Sequence, residues 1–176
     1  MTKTRSASRG DTAAAWWRVA LADRDSGAAR GLAARLRRGG AAATLGEPAV
    51  HDLARRLGMG PGQAPQLVRL AEVLAEVRAD DPAPLARRLG GPEPVLSTLR
   101  FQRLLRATAD DFTAQLRRAL AMADRRCNVG RLAGDLLLWE HSDWSDPVRA
   151  RWSFDYFGAP PPAQLAPSTH ATEPPA

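Results

Sequence analysis

Residues 99–123, LRFQRLLRATADDFTAQLRRALAMA, carry apolar side chains at the spacing of α-helices. Phe101, Leu104 and Leu105 fall on one side of a first helix. From Phe112 onward, apolar residues recur at i, i+4, i+7 and i+8, which is typical of a buried helix face. A break near Asp110, a residue type that caps helices, separates the two patterns. The stretch therefore predicts two consecutive amphipathic helices.

Helix signals continue outward from this stretch in both directions. Asp11, Ser26 and Asn128 are predicted N-caps, and Pro48 and Pro147 suit first helical turns. Glycines at positions 39, 58, 90 and 158 are predicted to end helices. No segment alternates apolar and polar residues as a half-buried strand does, and β-branched residues are scarce. We expect an all-α fold, a compact bundle of about nine helices packed as one body or as two helical lobes.

The two ends of the chain differ in composition from its centre. Residues 1–10 are predicted to be a flexible basic arm, with a transit peptide as the less favoured alternative. Residues 11–158 hold the helical patterns and form the predicted domain. In residues 159–176, six of eighteen positions are proline and no periodicity remains, which predicts a disordered tail.

Positive charge is concentrated in one quarter of the chain. Residues 87–131 hold ten arginines and four acidic residues, a net charge of +6 that equals the formal charge of the whole protein. The choice of arginine over lysine fits a GC-rich genome and says little about function. The clustering is more informative, because a basic face attracts a polyanion such as nucleic acid.

The basic residues recur on the polar sides of the predicted helices. Arg100, Arg103 and Arg106 lie opposite Phe101 and Leu104. The following helix carries Arg117, Arg118 and Arg126 on its polar side, and Arg131 follows the Asn128 cap. Two alternatives stay open: these faces are merely solvated, and Arg131 merely pairs with Asp135 four residues later.

The sequence offers no active site, so we expect a protein that is not an enzyme and uses no cofactor or metal. Cys127 has no second cysteine for zinc and is predicted to be structural. His51, His141 and His170 are isolated from one another. The calcium-loop-like start at Asp23 lacks the glutamate at position twelve. No apolar run is long enough to span a bilayer, and we expect a cytoplasmic protein without membrane contact.

Four stretches together resemble CasB, the small subunit of the type I-E CRISPR surveillance complex Cascade. Residues 99–106 are similar to its Arg-Phe-x-Arg-Leu-Leu signature, and residues 128–139 to its N-V-x-x-L-x-x-D-L-x-x-W helix. Trp16-Trp17 with residues 36–38 resembles its N-terminal block, and residues 152–158 resemble its closing aromatic helix. The likeness spans residues 16–158, in order and with fitting gaps.

The resemblance implies a helical, non-catalytic subunit, typically present as two copies, that steadies guide RNA, target DNA and the displaced strand of the R-loop. Its partners would be other Cascade proteins, CRISPR RNA and target DNA. Motif position assigns nucleic-acid contacts to Arg37, Arg38, Arg100, Arg103 and Arg131, and the charge pattern adds Arg117, Arg118 and Arg126. Core or subunit-packing roles fall to Phe101, Leu104, Leu105, Trp139, Trp152 and Tyr156. Trp16 and Trp17 are expected to be buried, with stacking on bases as the alternative.

Two other functions remain open from the sequence. A sequence-specific helical transcription regulator needs base-reading side chains on a basic helix, and this chain offers chiefly Gln102 and Gln115. A pure scaffold would instead use its arginines to pair with acidic partner proteins. It would show no salt-sensitive binding to nucleic acid.

Overall fold

Helices dominate the part of the chain that the structure describes. The structure, a computed structural model, describes residues 8–158, apart from the side chains of residues 109 and 110. The helices are α1 (Arg9–Ala20), α2 (Gly27–Arg38), α3 (Gly40–Leu45), α4 (Pro48–Leu57), α5 (Ala64–Glu76), α6 (Leu85–Leu89), α7 (Thr98–Arg106), α8 (Ala109–Met122), α9 (Val129–Leu138) and α10 (Ser145–Phe157). A 3-10 turn at Pro61–Gln63 leads into α5. The predicted all-α fold is confirmed, with ten helices where about nine were expected.

The first helix begins earlier than the sequence suggested. Ser8, not Asp11, is the N-cap of α1: the Ser8 hydroxyl accepts a hydrogen bond from the Asp11 backbone N–H at 3.1 Å. The Asp11 carboxylate accepts in return from the Ser8 backbone N–H, which completes a capping box. Residues 8–10 of the predicted arm therefore belong to the helical body. The rest of that arm, the proline-rich tail and His170 lie outside the described residues.

Most predicted helix ends are where the sequence placed them. The Asn128 side chain caps α9 by accepting from the Arg131 backbone N–H at 2.8 Å, and Ser26 caps α2 in the same manner. Gly58 and Gly158 follow α4 and α10 with φ values of 63° and 71°, the left-handed conformation that glycine adopts without strain. A break separates α7 from α8 as predicted.

A two-residue parallel strand pair was not predicted. Strand β1 (Ala79–Asp80) pairs with β2 (Arg126–Cys127), with Ala79 opposite Arg126. The chain reaches β2 through Asp124 and Arg125, whose φ values of 55° and 56° turn the backbone sharply after α8. Two residues are too few to show an alternating pattern, so these strands could not be predicted from hydrophobic periodicity.

One apolar core runs through the described residues. Trp16 and Trp17 are 2% and 3% exposed, and their indole N–H groups donate to the carbonyl oxygens of Ala49 (2.9 Å) and Leu74 (3.1 Å). Their predicted burial is confirmed, and base stacking by these rings was the wrong alternative. The core also holds the rings and side chains predicted from the motifs, with Leu105 half-buried: Phe101, Leu104, Trp139, Trp152 and Tyr156.

Aromatic stacking fixes the last helix against the rest of the bundle. The rings of Phe101 on α7 and Tyr156 on α10 stack with their centroids 3.9 Å apart. The Tyr156 hydroxyl donates to the carbonyl oxygen of Leu96 at 2.6 Å. These contacts hold α7 in place and so determine where its polar side faces. Within residues 8–158, none of the helices is both long and apolar enough to cross a membrane.

Candidate nucleic-acid interface

Helix α7 is divided into an apolar and a basic side. Phe101 and Leu104 are each 1% exposed, whereas Arg100, Arg103 and Arg106 are exposed. Because the apolar side of α7 packs against α10 and the core, the arginines on its opposite side face solvent. The helix therefore presents a row of guanidinium groups to solvent.

A groove between α7 and α8 brings three of the predicted contact residues together. We call it the α7/α8 groove. Its volume is about 530 Å³. It is lined by Leu96, Arg100, Arg103, Leu104, Asp111, Gln115, Arg118, Ala119, Ala121 and Met122. Arg100 and Arg103 came from the motif and Arg118 from the charge pattern, and the fold places all three at one site.

The three arginines of the α7/α8 groove have no acidic partner among the side chains that the structure describes. Among the described residues, none of them forms an ion pair or a side-chain hydrogen bond. The one acid of the lining, Asp111, accepts a hydrogen bond from the Gln115 amide at 2.7 Å. That bond also occupies one of the two glutamines that a sequence-specific regulator would use to read bases.

The other predicted arginines on and after α8 are held by carboxylates. Arg117 donates through Nε to Glu76 at 2.9 Å. Arg131 donates through Nη2 to Asp155 at 2.8 Å, and its Nε lies 3.9 Å from Asp135. The pairing of Arg131 with an acid, one of the two alternatives, is thus present, although the stronger partner is Asp155.

Arg126 and the two arginines at the end of α2 stand apart from the groove. Arg126 is exposed and lies 3.6 Å from Asp81, close enough for a weak ion pair. Arg38 is exposed and Arg37 is half-buried, and within residues 8–158 neither guanidinium has an ion-pair partner. The structure therefore distributes the eight predicted contacts over several places, of which the α7/α8 groove gathers three.

Sequence reasoning missed the acids that hold these arginines. Glu76 is 5% exposed and lies 41 positions before Arg117, and Asp155 lies 24 positions after Arg131. The only available signal was an acid at the end of the apolar stripe of α5, which by itself indicates no partner. Asp135 is likewise buried, at 3% exposure, and accepts from the Trp152 indole N–H at 2.7 Å and from Arg151.

Cys127 and Asp23, two residues considered above for chemistry, have structural roles. Burial raises the pKa of the Cys127 thiol to about 12, so the thiolate needed for nucleophilic attack is scarce at neutral pH. The Asp23 carboxylate accepts from the backbone N–H groups of Asp25 and Ser26, at 3.1 and 3.2 Å, and so closes a turn before α2. The described part of the chain contains no group of three or more metal-ligating side chains.

Comparisons with known proteins agree with the fold and the motifs. The sequence model of a family described as CRISPR-associated protein Cse2 matches residues 32–157. The crystal structure of CasB from Thermus thermophilus is similar to this fold, with a TM-score of 0.68 and 24% sequence identity. That match covers 87% of this chain and 100% of the CasB chain. A search of curated proteins gives no match.

Proposed function

Because the chain belongs to the CRISPR-associated protein Cse2 family, and so is a subunit of the CRISPR Cascade complex, we propose that it holds nucleic-acid backbones there without catalysing a reaction. Its ligands would be the guide RNA, the target DNA and the displaced single strand of the R-loop. Its protein partners would be the other Cascade subunits, with two copies of the chain in each complex.

The observation that carries this proposal is the set of unpaired arginines in the α7/α8 groove. Guanidinium groups without an internal acid keep all their N–H donors for an external anion. A planar guanidinium matches two phosphate oxygens at once, and three such groups in one groove suit successive phosphates. The exposed Arg106 at the end of α7 extends the same charge.

The groove lining favours a single strand over a duplex. The exposed side chains of Ala121 and Met122 supply apolar surface beside the arginines, above the buried Leu96 and Leu104. Unpaired bases expose flat apolar faces that bind such surface, while the phosphates reach the guanidinium groups. A duplex keeps its bases stacked inside and would leave this surface unused. The displaced strand is therefore the ligand that we assign to the groove.

A few contacts of this kind are sufficient for a role in R-loop formation. Exchange of a DNA duplex for an RNA–DNA heteroduplex is nearly balanced in free energy. Three arginine–phosphate contacts at about 1 kcal/mol each shift such an equilibrium by on the order of 100-fold. The subunit would thus stabilise the opened target without reading its sequence.

The test is target opening by a reconstituted complex, followed by the fluorescence of 2-aminopurine placed in the displaced strand. We expect Arg100→Ala/Arg103→Ala/Arg118→Ala to reduce the opened fraction strongly. A control with Arg30, Arg55 and Arg56 changed to alanine loses the same charge at exposed sites outside the groove and should open target normally. Equal opening by both variants would refute the proposal.

A further inference from the structure

Helix α10 is apolar on the side that faces solvent as well as on the side that faces the core. Val148, Trp152 and Tyr156 are buried against the bundle at i, i+4 and i+8. The opposite side carries a second apolar series at i, i+3, i+7 and i+10, every member of which is exposed: Pro147, Ala150, Phe154 and Phe157. A helix that is apolar on all sides is normally buried on all sides. The solvent side of α10 is therefore an apolar face that residues 8–158 leave uncovered.

The aromatic members of this face are strongly exposed. Phe154 is 63% exposed and Phe157 is 64% exposed. Trp144, the N-cap residue of α10, continues the series by about one helical turn and is 54% exposed. We call the resulting set the α10 stripe: Trp144, Pro147, Ala150, Phe154 and Phe157. Its ends are thirteen residues apart, which makes the stripe about 20 Å long.

The exposed area of the α10 stripe is large for a solvated surface and small for a self-sufficient interface. Because its three rings are more than half exposed, they leave roughly 300–400 Å² of aromatic surface uncovered. Apolar patches of this size on a single chain are often functional. A stable pair of chains, however, buries about 800 Å² on each partner. The stripe thus suits a contact that further contacts within a larger assembly support, and not a dimer of this chain alone.

The charges beside the α10 stripe favour a basic partner and disfavour nucleic acid. Asp143 and Asp146 flank Trp144, and the side chain of Asp146 is 94% exposed. Among the described residues, Asp143 forms no ion pair, and the pair between Asp146 and an arginine of α10 is 3.7 Å long. Arg151, beside the middle of the stripe, is paired with the buried Asp135. A phosphate backbone laid along the stripe would meet these carboxylates, whereas lysine or arginine would complement them.

We propose that the α10 stripe is the docking face for a helix of a different protein subunit of the complex. That helix is apolar where it meets Phe154 and Phe157, and it carries lysine or arginine where it meets Asp143 and Asp146. The small side chain of Ala150 leaves a gap between the larger ones, into which a side chain of the second helix fits. The inference rests on the proposed function for the presence of other subunits, but not for any nucleic-acid contact.

Photocrosslinking in a reconstituted complex identifies what covers the stripe. Benzoylphenylalanine would replace Phe154 in one variant and, as a control, Val19 of α1, which is 81% exposed. We expect the probe at position 154 to form a covalent product with another protein subunit, on a helix that carries lysine or arginine. The probe at position 19 should not label that helix. A product with a second copy of the chain, with its own residues 159–176 or with nucleic acid would overturn the proposal, and so would the absence of any product.

Substitution measures how much the stripe contributes to attachment. The affinity of the labelled chain for a complex assembled without it should fall at least about tenfold in Trp144→Ala/Phe154→Ala. Val19→Ala, which also removes an exposed apolar side chain, should bind like the parent. The melting temperature of both variants should stay near that of the parent, because these side chains are exposed. Equal affinity of the stripe variant and the parent would refute the docking face.

Charge reversal keeps the test independent of side-chain packing. Asp143→Lys/Asp146→Lys should weaken attachment, and a change of the facing lysine or arginine of the partner to glutamate should restore it. Weakening without restoration would overturn the assigned pairing. The target-opening experiment on the groove variant measures the nucleic-acid role separately. If that variant opens target poorly while the stripe variant attaches normally, the docking face is refuted and the proposed function stands.

Discussion

Arg117 and Arg118 are adjacent in the chain, but their guanidinium groups lie on different sides of α8. Arg117 donates to Glu76 on α5 at 2.9 Å, whereas Arg118 lines the α7/α8 groove. Consecutive residues of an α-helix point about 100° apart, which follows from 3.6 residues per turn. Arg117 thus pairs with a buried carboxylate, whereas Arg118 faces the solvent-filled groove.

The two neighbours should respond differently to the same substitution. Arg117→Ala leaves the buried Glu76 with one cation fewer and should lower the free energy of unfolding by at least about 2 kcal/mol. Arg118→Ala removes no ion pair or side-chain hydrogen bond from residues 8–158 and should stay within about 0.5 kcal/mol of the parent. Urea denaturation of both variants measures the difference. Equal losses of stability would mean that Glu76 does not depend on Arg117.

Glu76 itself should be more sensitive than an exposed acid. In Glu76→Gln, two guanidinium groups lose their shared counter-charge in a buried place, and we expect a loss of about 3 kcal/mol. Asp52→Asn is the matched control, because Asp52 pairs with Arg55 and Arg56 at the surface of α4, where such pairs contribute about 0–1 kcal/mol. Thermal unfolding would show the contrast. A small effect of Glu76→Gln would argue against its role as an organising residue.

The backbone of α10 packs so closely against Gly90 that no side chain fits at this position. A Cβ atom at this position would lie 1.9 Å from the carbonyl oxygen of Tyr156, so Gly90→Ala must push α10 away from the loop after α6. We expect a loss of about 2–3 kcal/mol of stability. Gly62→Ala meets no atom within 4 Å and should be neutral or slightly stabilising. Similar melting temperatures for the two variants would contradict the packing of α10 described above.

Cys127 should be inert in the folded protein. Its thiol is fully buried and its pKa is raised to about 12, so both access and thiolate are lacking. We expect a thiol reagent such as iodoacetamide to label the chain at pH 8 only after denaturant is added. Rapid labelling of the native protein, with unchanged circular dichroism, would show that Cys127 is accessible and reactive.

Local patterns predicted the elements better than they predicted the contacts between them. The spacing of Phe101, Leu104 and Phe112 indicated α7, α8 and their buried faces, because helix periodicity is a local property. The family that the motifs suggested is confirmed by the match over residues 32–157. The partner of Arg117 could not be predicted in the same way, since the choice of Glu76 depends on how α5 and α8 pack.

The candidate interface was predicted in part for the same reason. Charge clustering indicated which arginines belong to a basic surface, and Arg100, Arg103 and Arg118 indeed share one groove. Arg131 was also predicted to contact nucleic acid, but it is paired with Asp155 of α10. Only the tertiary arrangement separates an arginine that pairs inside the protein from one that is free for a ligand.

The most direct test of the nucleic-acid role is fluorescence anisotropy with labelled single strands of unrelated sequence at several salt concentrations. We expect the full chain to bind these strands regardless of their sequence. Its slope against log salt should fall by about 2 in Arg100→Ala/Arg103→Ala/Arg118→Ala, or about 0.7 for each lost contact. The control with Arg30, Arg55 and Arg56 changed to alanine should keep the parent slope. Binding confined to one sequence, or an unchanged slope in a folded groove variant, would show that the groove arginines do not hold nucleic-acid backbones.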